Sequence, residues 1–308
     1  MGTKGAIDMK TAAPLLVVLA ATCWGVIGLF SQMLAALGMD AIQITVIRCA
    51  LAALFLGAYM LVANREAFRF ALRDIWMFVG TGVLSIAFFN VCYFACIAEC
   101  GLSFAAILLY TAPCFVVVMA AFFFHEHLTR RKVLALLLAF VGCLLVVGVG
   151  SGESSLSMFG VLVGLGSGLG YALYSLFARF ALVRYRALTV MFYTFSFAAC
   201  VLLPFADPVS IVLLGIADLP AALVMAGLAL VSTLLPFAAY TVALRYMEAG
   251  KASIMAFIEP MVALIIGVSV FHDVLNAMNV GGIVLIVVAV ALLNVRDRHK
   301  EKENPFRS

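Results

Sequence analysis

The stretch Phe124-His125-Glu126-His127-Leu128-Thr129 returns 147 positions later as Phe271-His272-Asp273-Val274-Leu275-Asn276. The same shift, applied without a gap, pairs many other residues of the chain. These pairs are Trp24 with Tyr171, Phe30 with Phe177, Gly80 with Gly227, Ser85 with Ser232, Tyr93 with Tyr240, Ala105 with Ala252 and Pro113 with Pro260. A fixed period indicates two copies of one structural unit. We therefore divide the chain into a first repeat, residues 1–150, and a second repeat, residues 151–308, which ends in a basic tail.

The composition indicates that the bilayer, rather than water, surrounds most of the chain. Hydrophobic residues make up 66% of the sequence and charged residues 11%, outside the range of soluble domains. The apolar stretches that have about the length of a membrane-crossing helix are 13–34, 41–62, 75–97, 103–124, 132–150, 158–180, 187–205, 219–244, 252–271 and 276–294. Continuous apolar runs exclude a membrane barrel, whose strands alternate polar and apolar residues. We predict an all-α polytopic membrane protein with ten transmembrane helices.

Basic residues are confined to one side of the predicted membrane. Apart from Arg48, which lies inside the second span, every Lys and Arg falls in the N-terminus, in every second connection or in the C-terminus. The other connections carry only acids, which are Asp40, Glu99, Glu153, Asp207, Asp218 and Asp273. The positive-inside rule then predicts that both termini lie in the cytoplasm. We expect a multi-pass protein of a bacterial inner membrane.

The number of spans in each repeat predicts an inverted architecture. Each repeat holds five spans, and because five is odd the second repeat enters the membrane upside down. Glu126 should therefore lie on the cytoplasmic side and its counterpart Asp273 on the outer side, each at a wet span end that it caps or anchors. Inverted repeats are typical of secondary transporters, in which two similar halves rock around a site near the midplane.

The order of several short motifs resembles a known family. The motifs are Trp24-Gly25, Arg48, Pro113 followed by Glu126 and Leu128, Glu259-Pro260, and Asp273 with Leu275. Together they resemble the drug/metabolite transporter superfamily, specifically its EamA-type members, over all ten spans. The resemblance implies two inverted five-helix repeats around a central substrate cavity, with amino acids, other metabolites or drugs as substrates. Asp273 stands where the family usually has Glu, and Tyr171 where it often has Trp.

Two ionisable residues lie deep within predicted spans. Arg48 is a base inside the hydrocarbon, and such a charge is costly there. Its guanidinium either binds a substrate carboxylate with a planar pair of donors, or extends toward the interface and the neighbouring carbonyls. Glu259 is an acid directly before Pro260. It either couples transport to proton movement, or satisfies backbone groups that the proline leaves without a partner.

Other residues are candidates for the wall of the cavity. Pro113 and Pro260 occupy matched positions in spans four and nine and should break both helices. Trp24 and Asn90 lie mid-span, far from the interfacial belt where Trp is usual. The complete set of substrate-binding candidates is Arg48, Trp24, Asn90, Tyr93, Tyr110, Tyr171 and Tyr240, with Glu259 as the coupling candidate.

Two runs of small residues favour close helix packing over chemistry. Cys92, Cys96 and Cys100 repeat every fourth residue in span three, which allows either close helix approach or a site for a soft metal. Gly164, Gly166, Gly168 and Gly170 form a similar run in span six. We favour the packing interpretation for both runs and predict no metal site.

These patterns predict a secondary transporter that exports small amphipathic metabolites, such as amino acids, by alternating access. The alternatives are an exporter of drugs or other organic solutes and, from another class, a membrane-embedded enzyme or sensor. The sequence shows no paired catalytic groups and no nucleotide-binding motif, so we predict no catalytic residue and no cofactor. The expected partners are the lipid bilayer, a small-molecule substrate and protons, but not nucleic acid. The oligomeric state is left open.

Overall fold

The computed structural model describes residues 9–148 and 157–294. Within these ranges the regular structure is entirely helical and no strand occurs, which confirms the predicted all-α class. Glu153 and the basic tail after position 294, both used in the topology prediction, lie outside the described residues.

The first repeat contains eight α-helices, because some of its spans are interrupted and consist of two helices each. They are α1 (Met9–Gly25), α2 (Ile27–Ala36), α3 (Ala41–Ala63), α4 (Ile75–Val79), α5 (Phe88–Cys100), α6 (Leu102–Leu109), α7 (Ala112–Phe124) and α8 (Arg130–Val147). A π-helical segment, Gly80–Ala87, joins α4 to α5, and short 3-10 turns occupy Arg65–Phe68 and Leu72–Asp74.

The second repeat also contains eight α-helices, because its first span is one continuous helix and it has an additional helix in a connection. Its helices are α9 (Met158–Leu182), α10 (Ala187–Leu202), α11 (Pro208–Ala217), α12 (Leu219–Ala229), α13 (Leu235–Tyr246), α14 (Ala249–Met255), α15 (Ile258–Val270) and α16 (Ala277–Asn294). A π-helical segment, Leu230–Leu234, joins α12 to α13. The additional helix α11 lies in the connection 206–218, between the predicted seventh and eighth spans.

Nine helical segments of the described residues are long and apolar enough to cross a membrane. They account for nine of the ten predicted spans. The remaining one, predicted at 132–150, is α8, which carries Arg130, Arg131 and Lys132 in its first turn. Its apolar part therefore begins only at Val133. Because α8 packs along the membrane-length helix α16, its apolar part lies beside a spanning helix.

The repeat is visible in the irregular features of the backbone. His125 and His272, which are related by the 147-residue shift, both adopt the left-handed conformation, with φ of 53° and 60°. The π-helical segment of the second repeat matches the last five residues of the π-helical segment in the first. The left-handed conformation is uncommon for residues other than glycine, and π-helical segments are rare. The recurrence of both features at matched positions therefore confirms two copies of one fold.

The two repeats are interleaved, because the main helix contacts cross from one repeat to the other. Helix α1 packs on α13, and the matched contact is α9 on α5. The glycines of α9 permit the second contact: a Cβ on Gly160 would meet Cys100 Sγ, and one on Gly164 would lie 2.8 Å from Cys96 Sγ. The cysteine run of span three therefore packs directly against the glycine run of span six, which is the small-residue packing expected between membrane helices.

Candidate functional site

The long spans four and nine are both broken near their middle. Span four is interrupted between α6 and α7 at Tyr110 and Thr111, and span nine between α14 and α15 at Ala256 and Phe257. Pro113 and Pro260 follow these breaks by two and three residues. Proline has no N–H to continue the helical hydrogen bonds, which explains why the breaks occur directly before it.

A cavity lies between the two breaks. The empty space among its lining residues is ≈ 410 Å³, including the part that opens to the outside. The lining residues are Leu109, Tyr110, Ala112, Pro113, Val116, Tyr171, Ser175, Tyr240, Ser253, Ala256, Phe257 and Glu259. Both repeats contribute to it, as expected for a transporter site at the interface between two repeats.

Glu259 is the only charged residue of the cavity lining. Tyr171 donates a hydrogen bond from its hydroxyl to Glu259 Oε2 at 3.3 Å. Span one approaches the same point closely, because a Cβ on Gly25 would lie 2.9 Å from the Glu259 carbonyl oxygen and 2.6 Å from Val262 Cβ. Gly25 thus allows α1 to pack directly against the start of α15 and so helps to fix the position of Glu259.

Hydroxyl groups supply most of the remaining polarity of the cavity. Ser175 and Tyr240 share a hydrogen bond of 2.9 Å, and Ser253 donates to the Gly250 carbonyl at 3.0 Å. Sequence reasoning did not select Ser175. A usable signal existed, because Ser175 follows Tyr171 by four residues and therefore faces the same side of α9.

Trp24 lies behind the lining rather than in it. It is 6% exposed, and its ring contacts Tyr171 at 6.2 Å and Tyr240 at 5.2 Å between centroids. Tyr171 is the counterpart of Trp24 in the second repeat, so this contact joins matched positions of the two halves. Trp24 therefore supports two of the aromatic side chains that face the cavity.

Three other candidates are also outside the lining. Arg48 is buried, its Nε has no hydrogen-bond partner, and it makes no ion pair within residues 9–148 and 157–294. Asn90 is held by Thr45, whose hydroxyl donates to Asn90 Oδ1 at 3.2 Å, and its own amide donates to the Ile86 carbonyl. Tyr93 packs against Phe89. The cavity lining thus brings Tyr110, Tyr171, Tyr240 and Glu259 together and does not include these three.

Glu126 forms a buried charge cluster at one end of the bundle, which we call the basic end. Its carboxylate accepts hydrogen bonds from the backbone N–H groups of Ala249 at 2.7 Å and Gly250 at 3.1 Å. Lys132 and Arg179 each approach it at 3.2 Å. Glu126 is only 8% exposed, so the prediction that it lies in water was wrong. The cluster is buried because α14, from the other repeat, covers it with its N-terminus.

Further contacts hold the N-terminus of α14 over Glu126. Lys132 also pairs with Glu248 at 2.9 Å, and Arg179 donates to the Met247 carbonyl at 2.8 Å. The two acids neutralise the two bases, and the carboxylate of Glu126 complements the positive end of the α14 helix dipole. As a result α14 packs on α7 and joins the two repeats at the basic end.

The matched contact at the opposite end, the acidic end, is not made. Helices α6 and α15 correspond to α14 and α7, yet they have no comparable packing within the described residues. Asp273, the counterpart of Glu126, is exposed, and its carboxylate makes no hydrogen bond or ion pair with the described residues. The matched helices of the two repeats are therefore packed together at one end of the molecule and not at the other.

Comparison with known proteins agrees with this architecture. The EamA-like transporter family matches residues 11–148 and again residues 158–295. One solved crystal structure superposes with a TM-score of 0.78 at 16% identity, covering 94% of this chain and 99% of that one. At this level of identity the superposition shows a shared fold.

Several curated relatives are named as transporters. An uncharacterized transporter of Archaeoglobus fulgidus is 27% identical, with 90% of this chain and 94% of the relative covered. The transporter YxxF of Bacillus subtilis is 25% identical, covering 94% and 92%. A probable amino-acid metabolite efflux pump of Salmonella typhimurium is 24% identical, covering 77% and 83%. The two family matches together span nearly the whole sequence, and the chain belongs to the EamA-like transporter family.

Proposed function

We propose that this protein is a secondary transporter that exports small amphipathic metabolites, amino acids among them, by alternating access. The observation that carries the proposal is the unequal state of two matched ends around one cavity. The basic end is held closed by Glu126 and the N-terminus of α14, while α6 and α15 are unpacked at the acidic end. In the opposite state Asp273 takes the role of Glu126 and accepts from the first N–H groups of α6.

The orientation follows from the charges. The basic end faces the cytoplasm of a bacterial cell, because Lys and Arg are retained on that side of the membrane. In the described state the cavity is then accessible from outside. Export is proposed because one relative is named as an efflux pump for amino-acid metabolites.

Tyr110, Tyr171 and Tyr240 contact the substrate in this proposal, and Glu259 couples its movement to protons. Glu259 is well placed for coupling, because it lies at the break of span nine, where a change in helix geometry also changes its surroundings. Its counterpart in the first repeat is Ala112. One carboxyl therefore serves both halves of the cycle.

Reconstituted vesicles test the proposal. Vesicles loaded with an unlabelled amino acid should accumulate the labelled compound transiently by counterflow, and protein-free vesicles should not. Glu259→Gln should retain exchange at saturating substrate concentrations, because exchange needs no net proton transfer, and should lose uphill transport driven by a pH gradient. Turnover of a lipid or another substrate with no flux of any metabolite would contradict a transport function. Uphill transport by Glu259→Gln would remove the proton role.

A further inference from the structure

The cavity offers a single charged group to its ligand, and that group is an acid. Glu259 is the one ionisable carboxylate among the twelve lining residues, and none of these residues is Lys, Arg or His. The hydroxyl of Tyr171 occupies one carboxylate oxygen, Oε2. The other oxygen has no hydrogen-bond donor within the described residues and remains available for a ligand.

The surrounding groups also favour a positive charge. Tyr110, Tyr171, Tyr240 and Phe257 all line the cavity, and the face of an aromatic ring attracts an ammonium group through its quadrupole. Tyr110 and Phe257 lie side by side, with their centroids 6.1 Å apart and their planes tilted by 35°. Their rings also give an apolar surface for the rest of the ligand.

The cavity lining contains no cationic side chain that would pair with a substrate carboxylate. The deep cation of the membrane region, Arg48, is absent from the lining and is itself buried. The charged groups that are arranged for a carboxylate, Lys132 and Arg179, are already engaged with Glu126 at the basic end. Placing a carboxylate beside Glu259 would also bring two like charges together, which is unfavourable.

We propose that the substrate is an amine, held through its ammonium group by Glu259 and by the aromatic faces around it, and that a carboxylate adds nothing to its affinity. The assignment rests on the proposed transport function for the identity of the cavity as the substrate site. It narrows that function to amines, and to amino acids recognised at their amino group.

Three probes with one phenylethyl skeleton separate the two charges: phenethylamine, phenylalanine and 3-phenylpropionate. Binding is measured without transport, by fluorescence of Trp24, which contacts the lining residues Tyr171 and Tyr240. The chain contains one other tryptophan, the half-exposed Trp76. A Trp76→Phe background therefore makes Trp24 the sole reporter.

We expect saturable responses to phenethylamine and phenylalanine, with phenylalanine no tighter, and none to 3-phenylpropionate at the same concentrations. Glu259→Gln should weaken amine binding at least about tenfold, since hydrogen bonds to charged groups are worth about 1.5–3 kcal/mol. Tyr171→Phe keeps the ring and frees Oε2, so it should retain amine binding within about threefold. Glu99→Gln, which changes an exposed acid outside the cavity, is the matched control and should bind as the parent does.

Three results would overturn the assignment: binding of 3-phenylpropionate as tight as that of the amine, unchanged amine affinity in Glu259→Gln, or no saturable response to either amine. Binding of the acid that is lost in Arg48→Lys would move recognition to the guanidinium instead. If the acid binds and counterflow still occurs, the transport function stands and the substrate class is wrong. If the amine binds and no metabolite is exchanged, the site stands and the transport function fails.

Discussion

The turn after α7 and the turn after α15 have related sequences and opposite surroundings. Both pass through a left-handed histidine, His125 or His272, and both place an acid next. Glu126 is buried under two backbone N–H groups and two bases, whereas Asp273 is exposed. The local sequence therefore determines the turn, and the position of the other repeat determines whether the acid is engaged.

The partners available at the two ends also differ. Lys132 and Arg179 at the basic end correspond to Asn279 and Gln32 at the acidic end, and Glu248 corresponds to Gly101. Asn279 is already used, because its amide donates to the carbonyls of Leu145 and Val146. A closed acidic end would thus rest on backbone N–H groups alone, without ion pairs. From this difference we expect the state with a closed basic end to be the more stable one.

The largest expected effect comes from removing the charge of Glu126. Glu126→Gln leaves Lys132 and Arg179 without a carboxylate, and breaking a buried pair in this way costs about 3–5 kcal/mol. The matched variant Asp273→Asn should stay within about 0.5 kcal/mol, as is usual for an exposed position. Thermal unfolding of both proteins in detergent measures the difference. Equal destabilisation of the two variants would contradict the asymmetry.

A smaller effect is expected where the two halves differ by one methyl group. Gly25 corresponds to Ala172, and a Cβ on Gly25 would overlap Val262. Gly25→Ala should therefore cost about 1–3 kcal/mol through overpacking. Ala172→Gly removes a Cβ instead and should cost about 1 kcal/mol through helix propensity. Denaturation of the two variants in parallel tests this order, and a stabilised Gly25→Ala protein would contradict the close contact between α1 and α15.

The smallest expected effect adds the missing cation to the acidic end. Gln32→Arg supplies a partner for Asp273 when that end closes, and a partly exposed pair is worth about 0.2–1 kcal/mol. The ratio of the two states should shift by up to about fivefold toward a closed acidic end. Gln32→Glu should shift it in the other direction. The readout is the labelling rate of a cysteine introduced at Ser253, which should fall from the acidic side in Gln32→Arg and rise in Gln32→Glu.

Sequence patterns predicted the features that depend on local chemistry and on the repeat. The 147-residue shift paired the two histidines that the structure shows in the same left-handed conformation, and long apolar runs predicted the membrane helices. The engagement of Glu126 was not predictable in this way, because its backbone donors lie 123 and 124 residues further along the chain. A side chain that the sequence predicts to be solvent-exposed at a span end becomes buried when the other repeat covers it.

The cavity was predictable only in part for a related reason. Tyr110, Tyr171, Tyr240 and Glu259 line it, while Arg48 does not. Helix α3, which carries Arg48, is apolar around its whole circumference, so its sequence does not reveal which face points inward. For span six the spacing of Tyr171 and Ser175 was informative, because two hydroxyl-bearing residues one turn apart share a face.

The most direct test of the account is a pair of distance measurements on one protein without native cysteines. Spin labels at positions 128 and 245 report on the basic end, and labels at the matched positions 275 and 98 report on the acidic end; all four residues are exposed. Alternating access predicts that conditions which lengthen the first distance shorten the second, with Glu126→Gln driving both changes. Distances that change in the same direction, or do not change at all while substrate is exchanged, would contradict it.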